Sequence, residues 1–281
     1  MDAFSNLISV GVPVRNNVAT IRSTLDCIEI QSIRYCEVLI SVDSSNDGTL
    51  EICQEFIERN PTLKVVNHTE RIGLYKNFEY VLKNTNSKYF LWLAGDDYIS
   101  ADFLEKNVDF LEKNVDFVAS SGNPVFASGS EPYRPQTINL SGNQKERILN
   151  FLRNTETSHN VFYSVARREE MKKFRYLGKS FGAADWSYDL QLIGAGKVKT
   201  NCQTNIFFGG NGVSRQKNAR VAFANNVVER FFPYLRFMLT LFRKLIELRV
   251  FSKEILFWIL KYSLCDLMIS CKGKLKLLIQ K

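Results

Sequence analysis

The chain has 281 residues, of which 45% are hydrophobic and 12% aromatic, which is enough apolar material for a globular α/β domain with an appendage. Residues 1–214 carry 23 basic and 25 acidic side chains, whereas residues 215–281 carry 14 and 4. Because the positive charge is confined to the C-terminal segment, a protein that binds nucleic acid over its whole surface is excluded. Six scattered cysteines without a CxxC pair favour a reduced, cytoplasmic compartment, and we expect no signal peptide.

Strand-like apolar runs alternate with helical stripes over the first hundred residues. The predicted strands cover residues 7–13, 37–42, 63–66 and 89–93. Since parallel strands need crossover helices of this kind, the pattern predicts a mostly parallel, helix-covered sheet. The sequence FLEKNVD then occurs twice in succession, and we expect the first copy to be helical and the end of the second to enter a fifth strand near residue 115.

Acidic residues follow two of these strands directly. Asp43 ends the second strand, and Asp96 and Asp97 follow the fourth. Ligands bind beyond the carboxyl ends of parallel strands, where paired carboxylates can hold a divalent cation that carries phosphates. Asp43 could accept the imide N–H of uracil or bond a ribose hydroxyl. Each acid, judged alone, equally suits a turn or a helix N-cap, so both interpretations stay open.

A later segment, residues 182–193, is predicted to be a helix that places two more acids one turn apart. Trp186, Leu190 and Ile193 form its apolar face. Asp185 lies at the helix start, where the helix dipole favours an ionised carboxylate, as a general base requires. The alternatives are an ordinary N-cap for Asp185 and a solvated helix face for Asp189.

Five motifs follow one another along the chain: VGVPVRN at 10–16, EVLISVDSSNDGT at 37–49, RIG at 71–73 with Asn77, LWLAGDD at 91–97 and ADWSYDL at 184–190. Their order and spacing resemble those of family 2 glycosyltransferases with the GT-A fold. The resemblance covers residues 5 to about 215. It implies an α/β fold and an inverting transferase that uses a nucleotide-sugar donor, UDP-linked in our prediction.

The resemblance also implies roles for individual residues. Asp97 would bind Mg²⁺ or Mn²⁺, and Asp185 would be the catalytic base. Asp43 would recognise the base, and the remaining nucleotide and donor contacts fall on Pro13, Val14, Arg15, Arg71, Asn77 and Asp96. Ala94 departs from the family, because many members have an acid there, and residues 207–215 lack the histidine that some members use as a metal ligand. We therefore expect weak metal binding, with His68 and His159 in structural or surface positions.

The predicted domain organisation has two parts. Residues 1–215 form the GT-A domain, with nucleotide binding in 1–121 and acceptor binding in 122–215, and residues 216–281 form a basic amphipathic appendage. The basic cluster at 167–175 suits either an acceptor grip or a solvated helix face. We expect a glycan or lipid-linked glycan acceptor in polysaccharide biosynthesis. The alternative is a non-catalytic scaffold on a degenerate transferase fold, which the intact Asp43, Asp97 and Asp185 argue against.

The appendage carries apolar and basic residues at helical spacing. A second helix is predicted between Ser252 and Gly273, but Lys261 and Asp266 interrupt it, so it is too broken for a transmembrane span. Basic amphipathic helices lie in the membrane interface, which predicts peripheral attachment to the inner face of the cell membrane. The alternatives are packing on the catalytic domain and a homodimer. The first helix is predicted to have one stripe formed by Leu235, Met238, Leu239, Phe242, Leu245 and Ile246.

Overall fold

The computed structural model describes residues 7–33, 36–60, 62–126, 137, 139–154, 160–175, 177–210, 223–224, 226–232, 234–250, 252–258 and 261. The strands are β1 (Ile8–Val14), β2 (Cys36–Asp43), β3 (Leu63–His68), β4 (Tyr89–Trp92), β5 (Tyr98–Ile99), β6 (Phe117–Phe126), β7 (Val165–Arg167) and β8 (Lys197–Phe208). The helices are α1 (Ile21–Glu29), α2 (Thr49–Arg59), α3 (Leu74–Lys83), α4 (Phe103–Lys113), α5 (Gln144–Asn154), α6 (Arg168–Lys172), α7 (Ala184–Ala195), α8 (Val227–Phe231) and α9 (Leu235–Leu248).

All eight strands form one sheet in the order β3-β2-β1-β4-β7-β6-β8-β5. β1 is parallel to β2 and β4, β2 is parallel to β3, and β6 is parallel to β8. β7 is antiparallel to both of its neighbours, and β5 is antiparallel to β8. The predicted mostly parallel sheet is confirmed, and the predicted fifth strand is β6, which begins at Phe117.

Two short strands, β5 and β7, have no counterpart in the sequence prediction. They are two and three residues long, too short for a period of two to be recognised. The first copy of the repeated heptad is helical, as predicted, and α4 extends through Lys113 into the second copy. Tertiary packing against β6 and β8 therefore decides where this helix ends.

Each face of the sheet carries its own hydrophobic core. Residues of β4 alternate between them, with Phe90 and Trp92 in one core and Tyr89 and Leu91 in the other. Helices α1, α2 and α4 cover the Tyr89 side, and α3, α5, α7 and α9 cover the Trp92 side. The fully buried β4 segment is thus the centre of the domain, as expected for a continuous apolar strand.

Helix α9 packs on α7 with one edge of its apolar face. Phe237, Leu241 and Leu245 are fully buried, whereas Leu239 and Ile246 are exposed. The six residues of the predicted stripe lie on one side of the helix, but they do not share one environment, because only part of that side is covered. No helix within the described part of the chain is both long enough and apolar enough to cross a membrane.

Candidate active site

The carboxyl ends of β2, β1 and β4 lie side by side, with β1 in the middle. Two loops at this edge are interlocked through backbone N–H groups: that of Asn17 donates to Thr49 Oγ1 at 2.8 Å, and that of Val18 donates to Asp47 Oδ2 at 3.0 Å. Burial opposes ionisation of Asp47, but hydrogen bonds from Thr49 and Val18 outweigh it and lower its pKa. Asp47 therefore supports the loops at the edge of a crevice.

Asp43 lies at the end of β2 and is almost fully buried. Its two carboxylate oxygens accept the backbone N–H groups of Ile72, at 2.6 Å, and Gly73, at 3.0 Å. These bonds hold the 71–73 segment against β2 and leave Arg71 exposed beside it. The structure therefore brings Asp43 and Arg71 together at one end of the crevice.

Asn77 and the end of β1 complete this side. The Asn77 amide nitrogen donates to the Ser41 carbonyl at 2.9 Å, while its buried Oδ1 has no hydrogen-bond partner among the described residues. Pro13 and Val14 are buried in β1, and Arg15 is the first exposed residue after it. Asn77 thus ties the sheet edge together, and Arg15 is the exposed side chain of this group.

The Asp96–Asp97 loop is held from two sides. Hydroxyl groups of α1 and the preceding turn secure its backbone: Thr20 donates to the Gly95 carbonyl at 2.7 Å, and Thr24 donates to the Asp97 carbonyl at 2.9 Å. On the other side, the Gly209 N–H donates to Asp97 Oδ1 at 2.9 Å. A Cβ on Gly209 would lie 2.2 Å from the Asp96 carbonyl oxygen, so this approach requires glycine.

The donor set of this loop fits a hard divalent cation that arrives with phosphates. Adjacent carboxylates supply oxygen ligands, and Mg²⁺ commonly completes its shell with water and substrate phosphates. Within the described residues there is no group of three or more His, Cys, Asp or Glu side chains that could hold a metal by themselves. Asp97 would therefore hold such an ion together with phosphates of the donor.

An aromatic cluster connects β4 to α7, the helix that carries Asp185. Trp92 stacks on Phe162 and meets Tyr188 edge-on, each with ring centroids 4.7 Å apart. Asp185 lies in the first turn of α7 and is half-buried. Burial raises the pKa of its carboxyl, which makes it a stronger base once ionised.

Asp189 is fully buried, which corrects the alternative that placed it on a solvated face. Neither of its carboxyl oxygens has a hydrogen-bond partner among the described residues. Burial, and then the charge of Asp185, raise the pKa of Asp189 well above its ordinary range. Asp189 is fully buried whereas Asp185 is half-buried, so Asp185 is the one of the two carboxyls that an acceptor hydroxyl can reach.

Two tyrosines near the acids were missed by the sequence analysis. Burial raises the pKa of Tyr163 well above its ordinary value, and the charges of Asp97, Asp96 and Asp185 add to the effect. Tyr163 also packs on Phe208, one residue before Gly209, with ring centroids 5.5 Å apart. Tyr163 is therefore near enough to these three acids for their charges to act on its hydroxyl. No motif marked it, because its position depends on the pairing of β6, β7 and β8.

The second tyrosine, Tyr75, is the second residue of α3 and lies at the start of α7. Burial and the Asp185 charge raise its pKa well above the ordinary value, and the Asp185 backbone opposes that rise. Both tyrosine hydroxyls therefore remain protonated and can donate hydrogen bonds near Asp185.

The basic cluster at 167–175 divides into structural and solvated parts. The Arg167 guanidinium donates to the carbonyls of Phe117 and Leu111, and buried Arg168 donates to the Thr85 carbonyl. Lys172 and Lys173 form ion pairs with glutamates of α6. The cluster is therefore not one uniform solvated face, because buried Arg168 and half-buried Arg167 tie the sheet to its helices while Lys172 and Lys173 are exposed.

The predicted histidine positions are only partly described. His68 lies 2.9 Å from the Ser41 hydroxyl and meets the Tyr80 ring edge-on, which confirms a structural position. His159 lies outside the described residues, as do Cys265, Cys271 and residues 211–222.

The sequence profile described as "Glycosyl transferase family 2" matches residues 9–174. The chain belongs to glycosyltransferase family 2. Among curated relatives, Glycosyltransferase GlyA of Streptococcus pneumoniae is 33% identical over 98 residues, which are 35% of this chain and 14% of GlyA. An uncharacterized glycosyltransferase, EpsJ of Bacillus subtilis, is 25% identical over 36% of this chain and 29% of its own length. The chain therefore spans less than a third of these relatives.

Solved structures share the fold of this family 2 glycosyltransferase. The crystal structure of S. aureus TarS has a TM-score of 0.59 at 15% identity and covers 93% of this chain and 54% of TarS. The mannosyltransferase PcManGT of Pyrobaculum calidifontis, solved with GDP-Man and Mn²⁺, has a TM-score of 0.55 at 18% identity over 96% of this chain and 76% of its own. The predicted family and GT-A fold are thus confirmed.

Proposed function

We propose that this glycosyltransferase moves a sugar from a UDP-linked donor to a glycan hydroxyl with inversion at the anomeric carbon. The observation that carries the proposal is the placement of two fixed acidic sites at one sheet edge: Asp43 at the end of β2 and the Asp96–Asp97 loop after β4, on the two strands that flank β1. A TarS structure that contains UDP-GlcNAc supports the choice of donor, with a TM-score of 0.58 at 16% identity, over 84% of this chain and 73% of that one.

In this proposal the nucleotide lies across the ends of β1, β2 and β4. Asp43, fixed by the 71–73 segment, recognises the base, with Pro13, Val14, Asn77 and the exposed Arg15 and Arg71 forming the rest of the pocket. Asp96 contacts ribose or the donor sugar. Asp97 holds Mg²⁺ or Mn²⁺, which, when bound, supplies positive charge against the departing diphosphate.

The chemical step follows from the position of Asp185. Its carboxylate accepts the proton of the acceptor hydroxyl while that oxygen forms a bond to the anomeric carbon. The bond between that carbon and the diphosphate oxygen breaks, and the diphosphate departs with the electron pair. Attack opposite to the leaving group inverts the anomeric centre. The raised pKa of Asp185 favours proton acceptance in the transition state.

The acceptor in this proposal is a lipid-linked glycan, bound by the 122–215 half of the domain and used in polysaccharide biosynthesis. Such an acceptor accounts for a basic C-terminal segment, since an enzyme that works on lipid-linked substrates benefits from attachment to the cytoplasmic face of the membrane. The proposed location is therefore peripheral on that membrane, and the proposed division is 1–121, 122–215 and 216–281.

A panel of nucleotide sugars, with release of nucleoside diphosphate as the readout, tests the donor assignment. We expect UDP-sugars to be turned over and bound. Asp185→Asn should abolish transfer and retain donor binding, because the nucleotide contacts remain. Asp189→Asn is the matched control on the same helix and should retain transfer. A dead Asp189→Asn variant alongside an active Asp185→Asn variant would reverse the assignment of the base.

A further inference from the structure

Helix α9 has an apolar face that is broader than the part of it that α7 covers. Its inner side, with Phe237, Leu241 and Leu245 fully buried, packs against α7. On the outer side, Leu239 and Ile246 are each 54% exposed, and they lie seven residues apart on the same helix face. We call Leu239 and Ile246, with exposed Phe242 between them, the outer stripe. An exposed stripe of this length is more than the scattered apolar residues that any surface carries.

Basic residues border the outer stripe. Arg243 is exposed and lies beside both residues on the helix surface, because it follows Leu239 by four residues and precedes Ile246 by three. Arg249 and Lys253 follow as exposed residues beyond the end of α9. The chain immediately after α9 continues the apolar character, because Leu256 is 43% and Phe257 is 59% exposed.

We propose that the outer stripe and its basic border form a surface that docks on the interface of an anionic lipid bilayer. Such an interface binds apolar side chains that are flanked by cations. The apolar side chains enter the acyl boundary, and the cations contact the anionic headgroups. A second copy of this chain fits less well, because a twofold contact would bring like charges of the Arg243 border together. The inference deepens the proposed membrane location and rests on it.

The inner side of the same helix gives this surface a defined relation to the site. Trp186, the residue after Asp185, stacks on Tyr234, just before α9, with ring centroids 5.5 Å apart, and meets Phe237 edge-on. The docking helix is thus in direct contact with the helix that carries the base. Docking by the outer stripe would hold the crevice at a fixed height above the bilayer, within reach of a lipid-linked acceptor.

Sedimentation with phosphatidylglycerol–phosphatidylcholine vesicles tests the surface in the full chain. The double variant Leu239→Glu/Ile246→Glu should lower vesicle partitioning by at least about tenfold, since it removes the apolar contact and adds negative charge. The matched control is Ile30→Glu/Val115→Glu, which changes residues that are 64% and 83% exposed on the catalytic domain. The control should partition within about twofold of the wild type, and Arg243→Gln should increase the sensitivity of partitioning to salt.

Thermal unfolding and UDP-sugar hydrolysis in detergent separate this inference from the proposed function. Wild-type-like values of both in the outer-stripe variant, together with lost partitioning, would support the docking surface. Equal partitioning of the outer-stripe and control variants would overturn it. The proposal would also be overturned if light scattering showed that the wild type is a dimer and does not bind the vesicles, and that the outer-stripe variant is a monomer. A protein that docks as described but turns over no nucleotide sugar would refute the proposed function alone.

Discussion

Gly209→Ala is the substitution whose effect on the site follows most directly from the structure. The added Cβ would lie 2.2 Å from the backbone carbonyl oxygen of Asp96 and 2.8 Å from the Asp96 side-chain Oδ2. Ordinary van der Waals contact begins at 3.4 Å. The two segments must therefore separate by about 1 Å, and a displacement of that size near reacting groups costs on the order of 10²-fold in activity. The same movement lengthens the hydrogen bond from Gly209 to Asp97 Oδ1.

The neighbouring glycine provides the control. A Cβ on Gly210 would meet nothing within 4 Å, so Gly210→Ala should retain kcat/KM within about threefold. Initial rates of nucleoside diphosphate release would be measured across donor and Mn²⁺ concentrations, with thermal unfolding as a check that both variants fold. Indistinguishable kcat/KM values for the two variants would refute the argument that close contact with Gly209 positions the acidic loop.

Three further predictions concern individual acids and one tyrosine. Asp97→Asn should lower turnover by roughly a hundredfold or more and weaken the dependence on Mn²⁺, and full activity in excess EDTA would contradict the metal assignment. The pKa of Asp189 is higher in the folded chain than in the unfolded chain. At pH values between the folded and the unfolded pKa, the folded state therefore binds more protons. The free energy of unfolding consequently falls as the pH rises through that range. Asp189→Asn should reduce that fall in urea unfolding at pH values above the ordinary aspartate pKa, and an unchanged slope would place the titration elsewhere. Tyr163→Phe should lower kcat/KM about tenfold with unchanged thermal stability, as expected for one lost hydrogen bond in the site, and a wild-type rate would remove Tyr163 from it.

The long elements of the nucleotide half were predictable because their patterns are local. The helical stripe after the first predicted strand became α1, with Ile21, Leu25 and Ile28 buried, and the apolar run 89–93 gave the centre of the sheet. The acids at the strand ends were found by the same logic, since a strand's end is visible in sequence. What each carboxylate binds in the protein was not visible, and both oxygens of Asp43 turn out to accept backbone N–H groups.

The features that sequence reasoning missed depend on contacts between distant segments. Nothing in the sequence indicates that an aspartate is buried, so only the packing of α5, α7 and α9 reveals the burial of Asp189. Tyr163 precedes β7, a strand too short to show a pattern. On α9, the apolar residues at helical spacing form one broad face, and the sequence does not state which part of it α7 covers.

The stacking of Trp186 on Tyr234 has a consequence for the order in which the enzyme is made. Ribosomes add about 5–20 residues per second, so α9 emerges roughly 2–8 s after α7. During that interval, α7 lacks the cover that Phe237, Leu241 and Leu245 later provide. The strands of the nucleotide half are synthesised first, yet the helix bearing Asp185 is enclosed last. A nascent chain stalled before residue 235 would therefore present bare apolar surface next to an unfinished catalytic helix, which is the kind of surface that chaperones bind.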